Sequence, residues 1–171
     1  MNSKIIAFAI NAHHQVNHLY DNYPYSLHLS MVVMYAQKYI DIIPVQFHEN
    51  VLSACWLHDT IEDCRLTYND IKEIAGEAVA NMVYAVSNEK GKTRKERANE
   101  IYYKGICSTP YATFVKLCDR LANVKYSLEN NPKMLLVYKN ENENFIKSLF
   151  PKENDILIYK IIVVELNSMF A

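Results

Sequence analysis

Glycine is nearly absent from this sequence, with three in 171 residues against an average usage of about 7%. Proline adds five. A P-loop or a dinucleotide-binding turn needs clustered glycines whose backbone amides cradle phosphate, so both are excluded. A sandwich or barrel with many tight turns needs more positive-φ positions than three glycines supply, unless Asn and Asp stand in for them. The four cysteines, Cys55, Cys64, Cys107 and Cys118, form no C-x-x-C pair, which excludes a zinc knuckle or a thioredoxin motif. No apolar run approaches membrane-spanning length. The start, Met1 to Ile10 followed by Asn11 and His13-His14, has no cleavage-site pattern. No charge sign dominates either. The chain has 18 Lys and Arg against 19 Asp and Glu, a net charge of -1, so neither nucleic acid nor a membrane is implied as a partner.

What remains is a composition of 50% apolar and 22% charged residues, which is that of a soluble globular protein. The length fits one domain over 1–171. Cys55 and Cys118 lie in apolar patterns and read as reduced core residues, which places the chain in the cytoplasm. Few tight turns and many Ala, Leu, Ile, Lys and Glu point to an all-α fold. Pro24, Pro44, Pro110, Pro132 and Pro151 mark joints between segments of helical apolar spacing. The spacing predicts helices at roughly 2–18, 26–40, 46–59, 68–75, 77–87, 93–106, 111–128, 133–149 and 154–169. Phe114, Leu117, Cys118, Leu121 and Val124 form one buried stripe. Thr67 and Asp70 fit an N-cap with an acidic first turn. Ile156 to Val164 has the β-branched content of a strand, but a lone strand has no partner in such a chain, so it too is read as helix.

Three segments carry chemistry. His58-Asp59-Thr60-Ile61-Glu62-Asp63 follows an apolar run. Adjacent His and Asp offer one nitrogen and one oxygen to a borderline divalent metal. If the helix continues, Glu62 and Asp63 lie one turn beyond that pair, and such a density of acid at the end of a buried helix is costly without a cation. A solvated helix end is the alternative. Upstream, Tyr23-Pro24-Tyr25 leads into a helix carrying His28. Downstream, Asp119 interrupts an apolar stripe between Cys118 and Leu121. There it needs a metal or a partner, and Lys116 or Arg120 would serve at a surface. A further cluster, Lys90, Lys92, Arg94, Lys95 and Arg97, reads on pattern alone as a solvated face. His13 and His14 read as packing or surface residues, Trp56 as core, and Tyr25 as either a packing residue or a stacking platform for a base.

The order His28, His58-Asp59, Asp119 resembles the H…HD…D signature of the HD-domain metal-dependent phosphohydrolases. The words His58-Asp59-Thr60-Ile61-Glu62-Asp63, Thr67…Asp70-Ile71 and Lys116-Leu117-x-Asp119-Arg120-Leu121-x-Asn123 resemble the hydrolase domain of RelA/SpoT homologues, and in size the free-standing small alarmone hydrolases. The resemblance runs from Ala7 to about Phe150. It implies a single HD-domain helical bundle of about eight to nine helices that removes the 3′-pyrophosphate of (p)ppGpp. It implies a divalent metal, manganese first and iron, zinc or magnesium as alternatives, held by His28, His58, Asp59 and Asp119. Glu62 and Asp63 would position and activate the attacking water. Asn123 would contact the nucleotide, and Lys90, Lys92, Arg94 and Arg97 its phosphates, with Tyr25 on the base. The partner implied is a small-molecule nucleotide, and the sequence leaves room for a homo-oligomer.

One stretch departs from the family. Its loop before the first metal histidine commonly reads R-K-D-G-T-P-Y, whereas this chain has Leu19-Tyr20-Asp21-Asn22-Tyr23-Pro24-Tyr25. Two cations are lost, and His18 would replace one only when protonated. Loss of charge-assisted contacts to so anionic a ligand weakens binding by about 1.5–3 kcal/mol each. That keeps two further readings open: an HD phosphohydrolase acting on another nucleotide, and a nucleotide-binding module without turnover.

Overall fold

The computed structural model describes residues 2–87 and 91–171. Each sequence-predicted helical segment is helical in it, but in eleven α-helices among the described residues rather than eight or nine. The order is α1 (Ser3–Gln15), a two-stranded hairpin of β1 (Leu19–Tyr20) and β2 (Tyr23–Pro24), α2 (Ser26–Lys38), α3 (His48–Leu57), α4 (Thr60–Asp63), α5 (Tyr68–Ala75), α6 (Glu77–Val86), α7 (Arg94–Arg97), α8 (Glu100–Ser108), α9 (Ala112–Asn130), α10 (Pro132–Leu149) and α11 (Lys160–Ser168). Short 3-10 turns fill the gaps. Of the two extra pieces, α4 follows the expected helix over 46–59, and the other comes from a polar cap inside a segment that apolar spacing cannot divide. Asn99 accepts from the Tyr102 amide at 3.1 Å and starts α8, so the expected helix over 93–106 is two helices. The expected helix over 154–169 is a 3-10 turn, Glu153–Ile156, followed by α11.

The shortage of glycine is met as composition allows. Asn17, Asp21, Arg65 and Tyr111 take left-handed backbone at φ 51, 52, 59 and 63°, a conformation that Asn and Asp tolerate better than Arg or Tyr. Capping is done by Asn and Thr. Asn2 caps α1, Thr67 and Asp70 close a reciprocal box on α5, Thr93 and Glu96 do the same on α7, and Asn131 caps α10 ahead of Pro132. Two of the three glycines stand where a side chain would be strained or crowded. Gly76 turns α5 into α6 at φ 86°, and a Cβ on Gly91 would stand 2.7 Å from the Glu96 Cβ.

Helix α9 is the axis of the core. It packs against α2, α3, α6, α8, α10 and α11, and its predicted stripe, Phe114, Leu117, Cys118, Leu121 and Val124, is fully buried. Among the described residues no helix is long and apolar enough to cross a membrane. All four cysteines are free, and Cys107 alone of them is exposed. In the native protein one thiol should therefore react promptly with a thiol-specific dye and three only on unfolding; prompt labelling of two or more would contradict this packing.

Candidate metal and phosphate site

The core helices deliver the signature residues to one point. Helix α3 stops at Leu57. His58 and Asp59 follow as a break, and the Thr60 hydroxyl donates to the Leu57 carbonyl at 2.6 Å, satisfying an acceptor the break would orphan. The break, not a continued helix, turns His58 inward. His28 comes from the first turn of α2 and Asp119 from the middle of α9, helices that pack on each other. His28 and His58 are 1% and 2% exposed, and Asp119 is 7% exposed.

The two Nε2 atoms lie 3.2 Å apart. His58 Nε2 is 2.8 Å from Asp59 Oδ2 and 3.7 Å from Asp119 Oδ1. His28 Nε2 is 3.3 Å from Asp119 Oδ1 and 3.6 Å from Asp59 Oδ2. His58 Nδ1 lies 2.9 Å from the Cys55 carbonyl, an acceptor to which it must donate. In the neutral ring Nε2 is then a lone pair facing carboxylate oxygens, acceptor against acceptor. The centre is satisfied only by positive charge, as protons or as a cation. Without a metal, protons supply it. Burial opposes protonation of His28 and His58, yet the Asp59 and Asp119 carboxylates hold His58 well above the ordinary histidine value and raise His28. Burial likewise works against the two carboxylates, but the imidazoles, and Lys116 at Asp119, keep both well below the ordinary aspartate range. The donor set of two nitrogens and two carboxylates fits a borderline divalent ion.

These shifts fix a pH dependence. A histidine raised in the fold stabilises it below its unfolded value, about 6.5, and that stability is lost as pH rises through the folded value. Metal-free protein should therefore melt lower as pH rises from 6 to 9. Metal binding should release protons and tighten over the same range. Calorimetry in buffers of different ionisation enthalpy measures the release, and zero net release at pH 6.5 would contradict the protonated centre.

Around this centre the structure adds residues that sequence reasoning set aside. Lys116 Nζ sits 2.9 Å from Asp119 Oδ2, so the Lys116 pairing of the alternative reading exists, but in a buried site and beside both imidazoles. Asn123 donates to Asp119 Oδ1 at 2.5 Å and accepts from the Tyr20 hydroxyl at 2.9 Å. Tyr25, read as either a packing residue or a platform for a base, has its hydroxyl on Asp59 Oδ2 at 2.5 Å. Its ring is stacked on His18 and His13 at 3.9 and 4.3 Å, and it also lines the cavity described below. His13 is buried, as expected of a packing residue, but at the edge of the site. Burial, against the pull of Asp59, lowers His18 from its ordinary value. The ring is therefore neutral at pH 7 and does not replace the lost cations. Asp63 Oδ2 is 3.7 Å from His18 Nδ1. Burial, with the charges of Asp59 and Glu62, pushes Asp63 up to about 7.

A cavity of about 490 Å³ opens on His28, Asp59 and Asp119. Five cations line it: Arg94, Lys95, Arg97, Lys116 and Arg120. Of the expected phosphate contacts, Arg94 and Arg97 are there. Lys92, which precedes α7, is not among the lining residues, and Lys90 lies outside the described residues. Lys116 and Arg120 enter from α9. Glu141 enters from α10, where it binds Arg94 through two hydrogen bonds of 2.9 and 3.0 Å and Arg120 through one of 3.2 Å. Arg120 lies over the rings of Phe145 and Tyr138 at 4.2 and 4.8 Å. The signal for these was a Lys and an Arg bracketing Asp119 within a buried stripe, where three ionisable side chains must satisfy one another or a ligand.

No family model matches the chain. Sequence comparison finds a guanosine-3′,5′-bis(diphosphate) 3′-pyrophosphohydrolase of Aquifex aeolicus, 41% identical over 107 residues, 60% of this chain and 14% of that protein. It also finds the guanosine-3′,5′-bis(diphosphate) 3′-pyrophosphohydrolase MESH1 of Drosophila melanogaster, 31% identical over 84 residues, 49% of this chain and 47% of that one. The Homo sapiens MESH1 is 35% identical over 75 residues, 44% and 42%. The chain thus spans less than half the length of these curated relatives. A solved structure described as a metazoan ortholog of SpoT that hydrolyzes ppGpp superposes with a TM-score of 0.71 at 20% identity, over 98% of this chain and 92% of that one. In fold the chain matches that ortholog, and in sequence it is related to the guanosine-3′,5′-bis(diphosphate) 3′-pyrophosphohydrolases.

Proposed function

We propose that the chain, acting over 1–171 as one HD domain, is a metal-dependent phosphohydrolase that removes the 3′-pyrophosphate of (p)ppGpp, leaving GDP or GTP. The observation that carries the reading is the juxtaposition of two converging imidazole nitrogens and two carboxylates with a cavity rimmed by five cations. His28, His58, Asp59 and Asp119 would hold the ion, with manganese as our first choice. A divalent ion there lowers the pKa of bound water and polarises a phosphoryl oxygen. Glu62 or Asp63 takes the proton of the attacking water as its oxygen bonds to phosphorus. The bond from phosphorus to the ribose 3′ oxygen breaks, and that oxygen takes up a proton as the alcohol leaves. Arg94, Arg97 and Arg120 balance charge on the transferring group. Arg97 Nε is buried and has no hydrogen-bond partner among the described residues, a donor open to a phosphate oxygen. Tyr25 fixes Asp59, and Asn123 fixes Asp119. Four free thiols support a cytoplasmic setting.

One observation favours a second reading, hydrolysis of another nucleotide. Tyr20 occupies the stretch where the family carries its cations. Its ring stacks on His28 at 4.9 Å and its hydroxyl is on Asn123, so beside His28 this stretch is aromatic rather than cationic. A product assay with manganese and a panel of ppGpp, deoxynucleoside triphosphates and nucleoside monophosphates decides between them. Pyrophosphate released from ppGpp supports the first reading, and turnover of other nucleotides alone supports the second. Metal-dependent nucleotide binding without turnover of any panel member would leave a binding module.

A further inference from the structure

Beside the four-residue centre stands a second group of metal-donor atoms, of which the hydrolase signature includes Asp63 alone. His13 comes from the end of α1, His18 from the turn before β1, and Asp63 from the end of α4. Their donor atoms all lie within 4.8 Å of one another. His13 Nδ1 and His18 Nδ1 are 3.0 Å apart, and His18 Nδ1 is 3.7 Å from Asp63 Oδ2. Donors about 2.0–2.2 Å from one zinc-like ion stand about 2.8–3.6 Å from each other in octahedral or tetrahedral arrangement. Two of the three are at that spacing already, and a small rotation of a half-exposed carboxylate brings in the third.

His13 supplies an independent observation. It is 1% exposed. Its one side-chain hydrogen-bond contact among the described residues is Nδ1 toward His18, inside the cluster, and its Nε2 is buried without a partner. A buried imidazole held by so little is a costly way to fill space that Leu or Phe would fill. A ligand role for Nδ1 accounts for a polar ring at this place, with the proton then carried on Nε2. The geometry points to a second divalent-cation site on His13, His18 and Asp63, suited to zinc or a similar imidazole-preferring ion, which makes the active centre a two-cation one. Two imidazoles and one carboxylate leave open positions for water or a phosphoryl oxygen. Tyr25 separates the two sites, with its ring on His13 and His18 and its hydroxyl on Asp59. The inference does not depend on which nucleotide is cleaved.

Stoichiometry tests it without any activity assay. Full-length protein, stripped of metal, is titrated with zinc ions alone, and bound metal is counted by mass spectrometry after desalting. Wild type should retain two ions per chain. His18→Phe keeps a ring against Tyr25 but offers no nitrogen, and should retain one; Asp119→Ala should also retain one, and the double variant none. Circular dichroism checks that each is folded. One ion in wild type and one in His18→Phe would overturn the inference, leave the four-residue centre standing, and make His13 and His18 packing residues. Two ions in His18→Phe would put the second ion elsewhere, which also overturns it. No ion in wild type would sink both sites together.

Discussion

Asp119→Ala is expected to lose bound metal and at least about a thousandfold in turnover, since it deletes a ligand of the ion on which water activation depends. The same change should destabilise the metal-free protein. Asp119 is the counter-charge of three buried cationic partners: Lys116, His28 and His58. Removing one side of a buried charge cluster leaves the others uncompensated, a cost of about 3–5 kcal/mol. At this chain length each kcal/mol lowers Tm by about 2–4 °C, so a loss of about 6–20 °C should be seen in a melting curve at pH 7. Asp119→Asn keeps the volume and separates the two effects, being less destabilised and equally inactive. Full activity in either variant would refute the site. Normal metal content in Asp119→Ala would show that the ion sits elsewhere.

Asp63→Asn should lower turnover by about 10²–10⁴, the usual worth of a positioned acid or base, and at the same time raise the Tm of metal-free protein at pH 7. The second effect follows from sign. Burial and the charges of Asp59 and Glu62 push Asp63 up to about 7, far above the usual aspartate range. An acid whose folded value is raised resists ionisation, so the fold loses stability as pH climbs from about 4 toward 7. The amide carries no charge and escapes that loss. A change that stabilises while it disables is the mark of strain kept for function. Equal stability of the two proteins near pH 3, where Asp63 is protonated folded and unfolded alike, is the control. A variant less stable than wild type at pH 7 would show that the carboxylate is structural. Glu62→Gln should spare the metal and lose rate. Loss of metal there would mean that Glu62 is a ligand and not part of the water-activating pair.

Much of this was legible along the chain because it is local. The α9 stripe from Phe114 to Val124 is buried as its spacing requires, the Thr67 and Asp70 cap is closed, and His58-Asp59 announces a donor pair. What could not be read is what depends on how helices meet. Apolar period does not mark where Asn99 splits a helix, or that α3 breaks before His58. Nor does it mark which of several basic residues face a cavity: Lys92 does not line it, while Lys116 and Arg120, first seen as neighbours that might merely neutralise Asp119, do. Tyr25 reads along the chain as either a packing residue or a platform for a base; its partners, His13, His18 and Asp59, are 12, 7 and 34 positions away, and no local pattern joins them.

By itself, then, the sequence determined a helical chain with few tight turns, handling phosphate without a glycine loop, and supplied the donors His28, His58, Asp59 and Asp119 in family order. Their types and spacing are covalent facts. Tertiary structure alone decided that the donors converge with lone pairs facing carboxylates and that Arg120 and Glu141 from different helices share one cavity. It also decided that two histidines near the N-terminus meet Asp63. Those are distances through space, set by the packing of α1, α2, α3, α9 and α10, and burial is what turns each of them into chemistry, by making an unpaired charge or lone pair expensive.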